Sequence, residues 1–393
     1  MTILNRRDFL KNSILGASGA LIATPALGTH RASARPVDEK PALIRRPLGR
    51  TGLTLPIVSF GVMRADNPGL IRAAMKEGIV HFDTAHGYQR GSNEEMLGQV
   101  LSEYPRESFV LATKVGWDGP EDFKGKLLLS LRRLKMDYVD ILYVHGVSSR
   151  DDVLDKEILD VVRDVRKSGY ARHVGVSTHK NEPEVMRAAI ESGVYEVVLT
   201  SINFRQDHIA DVKKAVAEAA QTGIGIIAMK TMAGAFFDKA RTDPINCKAA
   251  LKWVMQDENV CTSIPGITSF DALAQNASVN ADVTLTVEEK ASLRLEDAQG
   301  GLYCNGCEVC TGSCSRSLPI PELMRSYMYT YGYGNGIMGR DLVTSLGTGI
   351  NPCAGCNSCT ARCVKGFNIR ERIADVSRLT AMPEELLAGA HCA

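Results

Sequence analysis

Eight of the chain's eleven cysteines fall in two combs, Cys304, Cys307, Cys310 and Cys314, then Cys353, Cys356, Cys359 and Cys363. Both combs read C-x2-C-x2-C-x3-C. That spacing puts four soft anionic sulfur donors on one short loop, chemistry suited to a cubane iron–sulfur cluster. Two other uses of thiols compete. Structural zinc usually takes two separated C-x2-4-C pairs and has no use for a third close thiolate, and disulfide scaffolds favour irregular spacing in small secreted domains. Far upstream lies a second reactive set: Asp83, Tyr88, Lys114 and His145. A phenol, with an ordinary pKa of about 10, is a weak acid at neutral pH. An ammonium beside it favours the phenolate and eases proton release to a developing alkoxide. A carboxylate would hold the lysine charged and an imidazole would position a carbonyl oxygen, so the four together suit carbonyl reduction.

Such groups need a scaffold that brings them to one place. From about Leu48 the chain alternates short β-rich runs (IVSFGVM, HFDTA, FVLATKV, VDILYVHG, HVGVST, EVVLTSIN, GIIAMK and CTSIPGI) with amphipathic stretches. In NPGLIRAAMKEGI, NEEMLGQVLSEY, DFKGKLLLSLRRLK, EILDVVRDVRKSG and DVKKAVAEAAQTG, apolar residues recur at three- and four-residue steps, the helical period. Ser92 and Glu95 read as a capping box. Alternating strands and helices predict parallel βαβ units, and eight of them predict a closed (β/α)8 barrel. The rival, a doubly wound open sheet, would want G-x-G-x-x-G after its first strand, and none is there. Chemistry in such barrels sits at the C-terminal ends of the strands, where this chain places Asp83, Lys114, His145, Ser177 and Asn203.

The strings FDTAHGYQRGSNEEMLGQVL, LATKVG, YVHGV and HVGVSTH resemble the aldo-keto reductase family from about Leu48 to Leu285. The resemblance implies a (β/α)8 barrel, a nicotinamide cofactor, and hydride transfer to or from a carbonyl. It makes Tyr88 the general acid/base, Lys114 the partner that lowers its pKa, Asp83 the anchor of the lysine, and His145 the residue that orients substrate. On the cofactor side it implies Ser177, Thr178, Asn203, Met229 and Lys230, with Gly266, Ser269 and Asn276 in IPGITSFDALAQN. Thr178, Leu199 and Met229 stand where other members carry Asn, Gln and Tyr. Gly266 and Ala272 stand where a Lys and an Arg would clasp a 2′-phosphate, so NADP and NAD both remain open.

The combs carry the run seen in two-cluster bacterial ferredoxins and imply two [4Fe–4S] clusters, in which the fourth cysteine of each comb ligates the other cluster. The likeness between the halves extends beyond the cysteines. A shift of 49 positions superposes Leu318 on Phe367, Ile320 on Ile369 and Glu322 on Glu371, as two cluster loops each followed by a helix start. The 38-residue spacer between Cys314 and Cys353, containing MYTYGYGNG, is long enough for a helical insertion. Outside the combs, Cys261 reads as packing and Cys392 as a loose terminal thiol.

The chain begins MTILNRRDFLKNSILGASGALIATPALGTHRASA, which resembles a twin-arginine export signal, with Arg6-Arg7, a weakly apolar stretch, and Ala32-Ser33-Ala34 for cleavage. Ser13 to Leu27 is too short and too rich in Gly, Ser and Pro to span a bilayer comfortably, so the membrane enters only through this signal or an uncleaved tether. A net charge of +1 gives no electrostatic case for nucleic acid. The expected organisation is a signal over 1–34, the barrel over 35–285, a connecting helix over 286–301, a small α-helical ferredoxin-like iron–sulfur domain over 302–380, and a tail over 381–393. The function expected is a periplasmic oxidoreductase acting on a small-molecule carbonyl or alcohol, its clusters relaying electrons to or from a redox partner protein. The alternative is an electron-transfer or structural-cluster protein whose barrel is catalytically weakened. Trp117 and Arg205 are expected on loops lining the pocket.

Overall fold

A computed structural model describes residues 42–295, 302–304 and 306–388; the expected signal and Cys392 lie outside the described residues. The chain first forms a hairpin, β1 (Arg45–Pro47) and β2 (Thr54–Pro56), that the sequence did not announce. Arg46 fixes it beneath the barrel by donating to the carbonyls of Asp257, Val260 and Met255 at 2.7–2.8 Å.

Eight parallel strands follow, in consecutive order: β3 (Phe60–Gly61), β4 (His81–Asp83), β5 (Val110–Val115), β6 (Val139–His145), β7 (Ala171–Thr178), β8 (Val197–Ser201), β9 (Gly225–Met229) and β10 (Val260–Ser263). The last strand returns to the first through Ser59 N–H to Ser263 O (2.8 Å) and Gly61 N–H to Pro265 O (3.1 Å), which closes the expected (β/α)8 barrel. The period-2 alternation sorts the side chains. In β6, Ile141 and Tyr143 enter the barrel interior with Leu199, Ile227 and Cys261, while Leu142 and Val144 face the helical ring. Leu48 and Leu55 of the hairpin loop and β2 plug the bottom of that interior. Cys261 is therefore packing, and its Sγ donates to Arg46 O.

The ring comprises α1 (Pro68–Lys76), α2 (Ser92–Leu101), α3 (Pro120–Leu134), the short α4 (Arg150–Leu154), α5 (Lys156–Lys167), α6 (Glu182–Ser192), α7 (Ile209–Gln221), α8 (Cys247–Met255) and α9 (Phe270–Ser278). In α5, Ile158, Val161, Val162 and Val165 share the buried face and Asp155 caps the start. The capping box expected at Ser92 and Glu95 does not form. Gln89, Arg90 and Gly91 are all left-handed, so Gly91 becomes the N-cap, and Ser92 Oγ donates to Gln89 O at 2.8 Å. Boxes form instead at Ser149/Asp152 and at Thr286/Glu289, the latter opening α10 (Val287–Ser292) where a connecting helix was expected.

The C-terminal lobe is helical: α11 (Ile320–Tyr327), a π-type turn over Met328–Gly332, α12 (Gly336–Ser345), α13 (Ile369–Ser377) and α14 (Glu384–Ala388). The helix starts at Ile320 and Ile369 repeat the 49-residue shift of the combs. Ile320, Leu323, Val343, Ile373 and Val376 form its core. Leu387 joins that core, so the segment expected to be a tail from 381 opens with a packed helix. No helix among the described residues is long and apolar enough to cross a membrane.

Candidate active site and metal centres

The ends of β4, β5 and β6 deliver Asp83, Lys114 and His145 to one rim, and Tyr88 reaches it from the loop after β4. That loop is held from both sides. Thr84 Oγ1 donates to Asn93 Oδ1 (2.7 Å), and Gln89 Nε2 donates to Met63 O and Ala65 O (3.2 Å each). Two consecutive non-glycine residues with positive φ, Gln89 and Arg90, follow Tyr88 directly, backbone strain of the kind that clusters at functional sites.

Lys114 is buried and forms an ion pair with Asp83. Its Nζ also donates to Thr84 O at 2.6 Å and lies 3.4 Å from Tyr88 Oη. Tyr88 and His145 meet edge to face with ring centroids 6.1 Å apart. The four residues expected to act together are thus brought together. Burial of the Tyr88 phenol, and after it the charge of Asp83, push it up, opposing the lowering expected from Lys114. Burial, then Lys114 and Arg325, drive His145 down to about 3, so its imidazole is neutral.

Above the rim is a cleft of about 1040 Å³ including its open side, lined by Asp83, Tyr88, Met229, Lys230 and Gly266. Its roof is Tyr329, Gly332 and Tyr333 of the C-terminal lobe, the two tyrosines stacked with ring centroids 5.8 Å apart. Sequence reasoning missed this roof. MYTYGYGNG was visible, but nothing in it said that it would cross back onto the barrel. Arg64 and Arg241 line the cleft too, and neither has an ion-pair partner among the described residues. Two unneutralised guanidiniums in one cleft suit the phosphates of a dinucleotide, so the residues present fit a nicotinamide cofactor. A second cavity shares His179, Lys230, Gly234 and Tyr333 with the cleft and adds Ser201, Asn203, Arg205, Tyr303 and Cys304. Burial, then Arg325, lowers Lys230 to about 7.

The remaining cofactor candidates divide. Asn203 and Lys230 face the cavities, and Ser177 is buried at the rim, its Oγ accepting from Gly146 N–H at 3.1 Å. Thr178 is turned away: its hydroxyl donates to Lys180 O (2.6 Å), closing a local turn. Leu199 packs inside the barrel, and Ser201, next inward on β8, is the residue that reaches the mouth with its hydroxyl unpartnered. Ser269 caps α9 by accepting from Ala272 N–H, and Asn276 is buried on the same helix. Trp117 packs on Phe123 in the outer core instead of lining the pocket, whereas Arg205 does line it and donates to Phe236 O and Phe237 O.

The eight comb thiols fall into two groups that cross between combs. Cys314, Cys353, Cys356 and Cys359 surround one cavity. In the other group the Cys310 thiol is pushed up to about 11, by burial and then by Cys304, with Cys307 and Cys363 adding to it. Each group draws thiols from both combs, and four soft sulfur donors apiece is a set whose chemistry suits an iron–sulfur cluster. Gly306 N–H donates to Cys304 Sγ at 3.3 Å, a bond of the kind that tunes cluster potential. Gly306 also sits at φ +74, and a Cβ there would lie 2.4 Å from Lys180 Cγ, so glycine lets the first comb press onto the barrel.

Residues 61–249 match the model of the Aldo/keto reductase family, and residues 303–368 match that of the 4Fe-4S dicluster domain. The chain is 25% identical to an L-glyceraldehyde 3-phosphate reductase of Escherichia coli O157:H7 over 65% of its own length and 93% of that protein's. It is 32% identical to the L-galactose dehydrogenase of Arabidopsis thaliana over 34% of its length and 47% of that protein's. Among solved structures, an aldo-keto reductase from Bacillus halodurans superposes with a TM-score of 0.56 at 22% identity, covering 66% of this chain and 99% of that one. An aldo-keto reductase from Klebsiella pneumoniae in complex with NADPH gives 0.55 at 22%, covering 65% and 96%.

Proposed function

We infer that this chain, whose residues 61–249 match the Aldo/keto reductase family and whose residues 303–368 match the 4Fe-4S dicluster domain, is an exported oxidoreductase that interconverts a carbonyl and an alcohol, its two cluster sites passing electrons to or from a redox partner. The observation that carries the inference is Lys114 Nζ, held by Asp83 and set 3.4 Å from Tyr88 Oη beneath a roof supplied by the cluster lobe. Bound NADP or NAD would give or take the hydride, while bound clusters would carry single electrons.

The chain's own residues do the rest. Tyr88, kept protonated, donates to the oxygen of a nascent alkoxide and takes the proton back in the reverse direction. Neutral His145 offers an N–H to the same oxygen, and the Asp83–Lys114 pair steadies the charge that develops there. Tyr329 and Tyr333 exclude water. Met229, Lys230, Arg64 and Arg241 would hold the nicotinamide and phosphate ends, and each crossed set of four cysteines would hold one cluster. Export rests on Arg6-Arg7. The twin-arginine route carries folded proteins, so clusters and nucleotide can be loaded before export.

A second reading, an electron-transfer protein with a weakened barrel, is favoured by Thr178 being consumed in a turn and by Leu199 lying in the core. Anaerobic purification with iron and sulfide quantitation and mass spectrometry of retained nucleotide establishes the loaded form. Tyr88→Phe then decides: carbonyl turnover should fall by about 10²–10⁴ with cluster content unchanged. Undiminished turnover sinks the assigned role of Tyr88, and wild-type protein inactive on every carbonyl tried favours the second reading.

A further inference from the structure

Resting on the relay reading above, we propose that the outer thiol site, Cys314 with Cys353, Cys356 and Cys359, is the docking face for an acidic one-electron protein, recognised by a collar of Arg316, Arg362 and Arg370.

The two thiol sites are not equivalent. Cys304 of the inner site lines the cavity that holds Ser201, Asn203 and Lys230 of the barrel mouth. The outer cavity is lined by lobe residues alone, among them Arg316 and Arg370. Arg362 folds over the same loop, its Nη1 donating to Cys359 O at 2.7 Å and Ala361 O at 3.3 Å. All three arginines are exposed, and none pairs with a carboxylate among the described residues.

Their neighbours behave differently. In the same lobe Arg325 pairs with Glu322, Arg340 with Asp341 and Glu384, and Arg378 with Asp375, while Arg372 lies on the rings of Phe367 and Tyr327. The guanidiniums left without a carboxylate or ring are thus gathered around the outer site. Ile350, exposed three residues before Cys353, adds an apolar contact. Concentrated positive charge at an electron exit steers an anionic partner, speeding association by roughly 10–10³-fold at low salt. A cluster held by these thiols would supply one electron per encounter, with no bond made and no proton moved, so two encounters would account for one hydride equivalent.

The alternative role for the collar is to offset the negative charge of the cluster itself, and the experiment separates the two. The full chain, loaded anaerobically, is reduced with dithionite, freed of excess reductant, and mixed in stopped flow with oxidised plastocyanin (acidic) or cytochrome c (basic). The proposal expects plastocyanin to be reduced about tenfold faster at low ionic strength, with a rate that falls steeply as salt is added. Arg316→Glu/Arg370→Glu should invert that preference with iron content and midpoint potential unchanged, and Arg316→Lys/Arg370→Lys should keep it. Salt-independent wild-type rates overturn the proposal. So do unchanged rates in the Glu variant, or a potential shift that alone accounts for its rates. Because reduction is chemical, failure of an alcohol and nicotinamide to reduce the clusters would count against the relay and leave this result standing.

Discussion

Lys180 of the barrel and Glu322 of the cluster lobe are joined by an ion pair of 2.6 Å. Lys180 has only 9% of its side chain exposed and Glu322 23%, and Glu308 takes the same ammonium at 3.2 Å. Lys180 follows β7 by two residues, Glu322 opens α11, and Glu308 lies in the first comb, so one lysine fastens the lobe beside the mouth. Arg90 with Asp341 and Glu384, and Lys365 with Asp207, complete the fastening at the rim.

Lys180→Met leaves Glu308 without its lysine and Glu322 with Arg325 as its remaining partner. Removing one partner of a buried pair typically costs about 3–5 kcal/mol, and the exposure of Glu308 together with the pairing of Glu322 to Arg325 should bring this to about 1–2 kcal/mol. Chemical denaturation measures the loss, and hydrogen exchange should rise in 302–333 before it rises in the barrel strands. Uniform loosening of both would contradict a local fastening.

Tyr329 is expected to act through its ring. Tyr329→Phe should hold KM within about threefold, whereas Tyr329→Ala should raise KM about tenfold by admitting water and removing an aromatic wall. Equal effects from the two variants would assign the role to the hydroxyl.

Crossed ligation predicts a pattern of non-additivity. Cys314→Ser and Cys353→Ser should each remove about four irons per chain, and the double variant should remove the same four. Cys314→Ser combined with Cys304→Ser should leave none. If Cys304→Ser/Cys314→Ser kept one full cluster by iron analysis and electron paramagnetic resonance, each comb would be serving its own site.

His81, fully buried in β4 with both ring nitrogens unpartnered, is driven by burial from 6.5 to about 3. Between those values the unfolded chain binds the proton and the folded chain does not. Stability should therefore fall as pH drops below 6.5 and be insensitive to this group above it. His81→Leu should recover on the order of 2 kcal/mol of the loss between pH 6.5 and 5, read from urea midpoints. An unchanged acid slope would rule His81 out as its source.

The barrel was legible because its signal is periodic. All eight strands fall where β-rich runs alternate with amphipathic helices, and Asp83, Lys114 and His145 end strands that sequence alone delimits. The hairpin was not legible, since two three-residue strands beginning Arg45-Arg46 have no period to read. The failed capping box at Ser92 shows how backbone outvotes a local motif: the left-handed run at Gln89–Gly91 moved the helix start by one residue. Arg64, Arg241, Tyr329 and Tyr333 were missed for another reason. They enter the site through long-range packing, and no spacing in the chain encodes that.

The roof over Tyr88 has a consequence for assembly. Cys310 lies in the apolar core of the lobe, with Cys304, Cys314, Cys353, Cys359 and Cys363 packed against it, so the thiols proposed to hold the clusters are also bricks of the wall. On that proposal, iron delivery and completion of the chamber become a single maturation event. A chain starved of iron should emerge with its barrel folded and its chamber unfinished, inert and not merely slow, and rapidly cut by protease between 302 and 388.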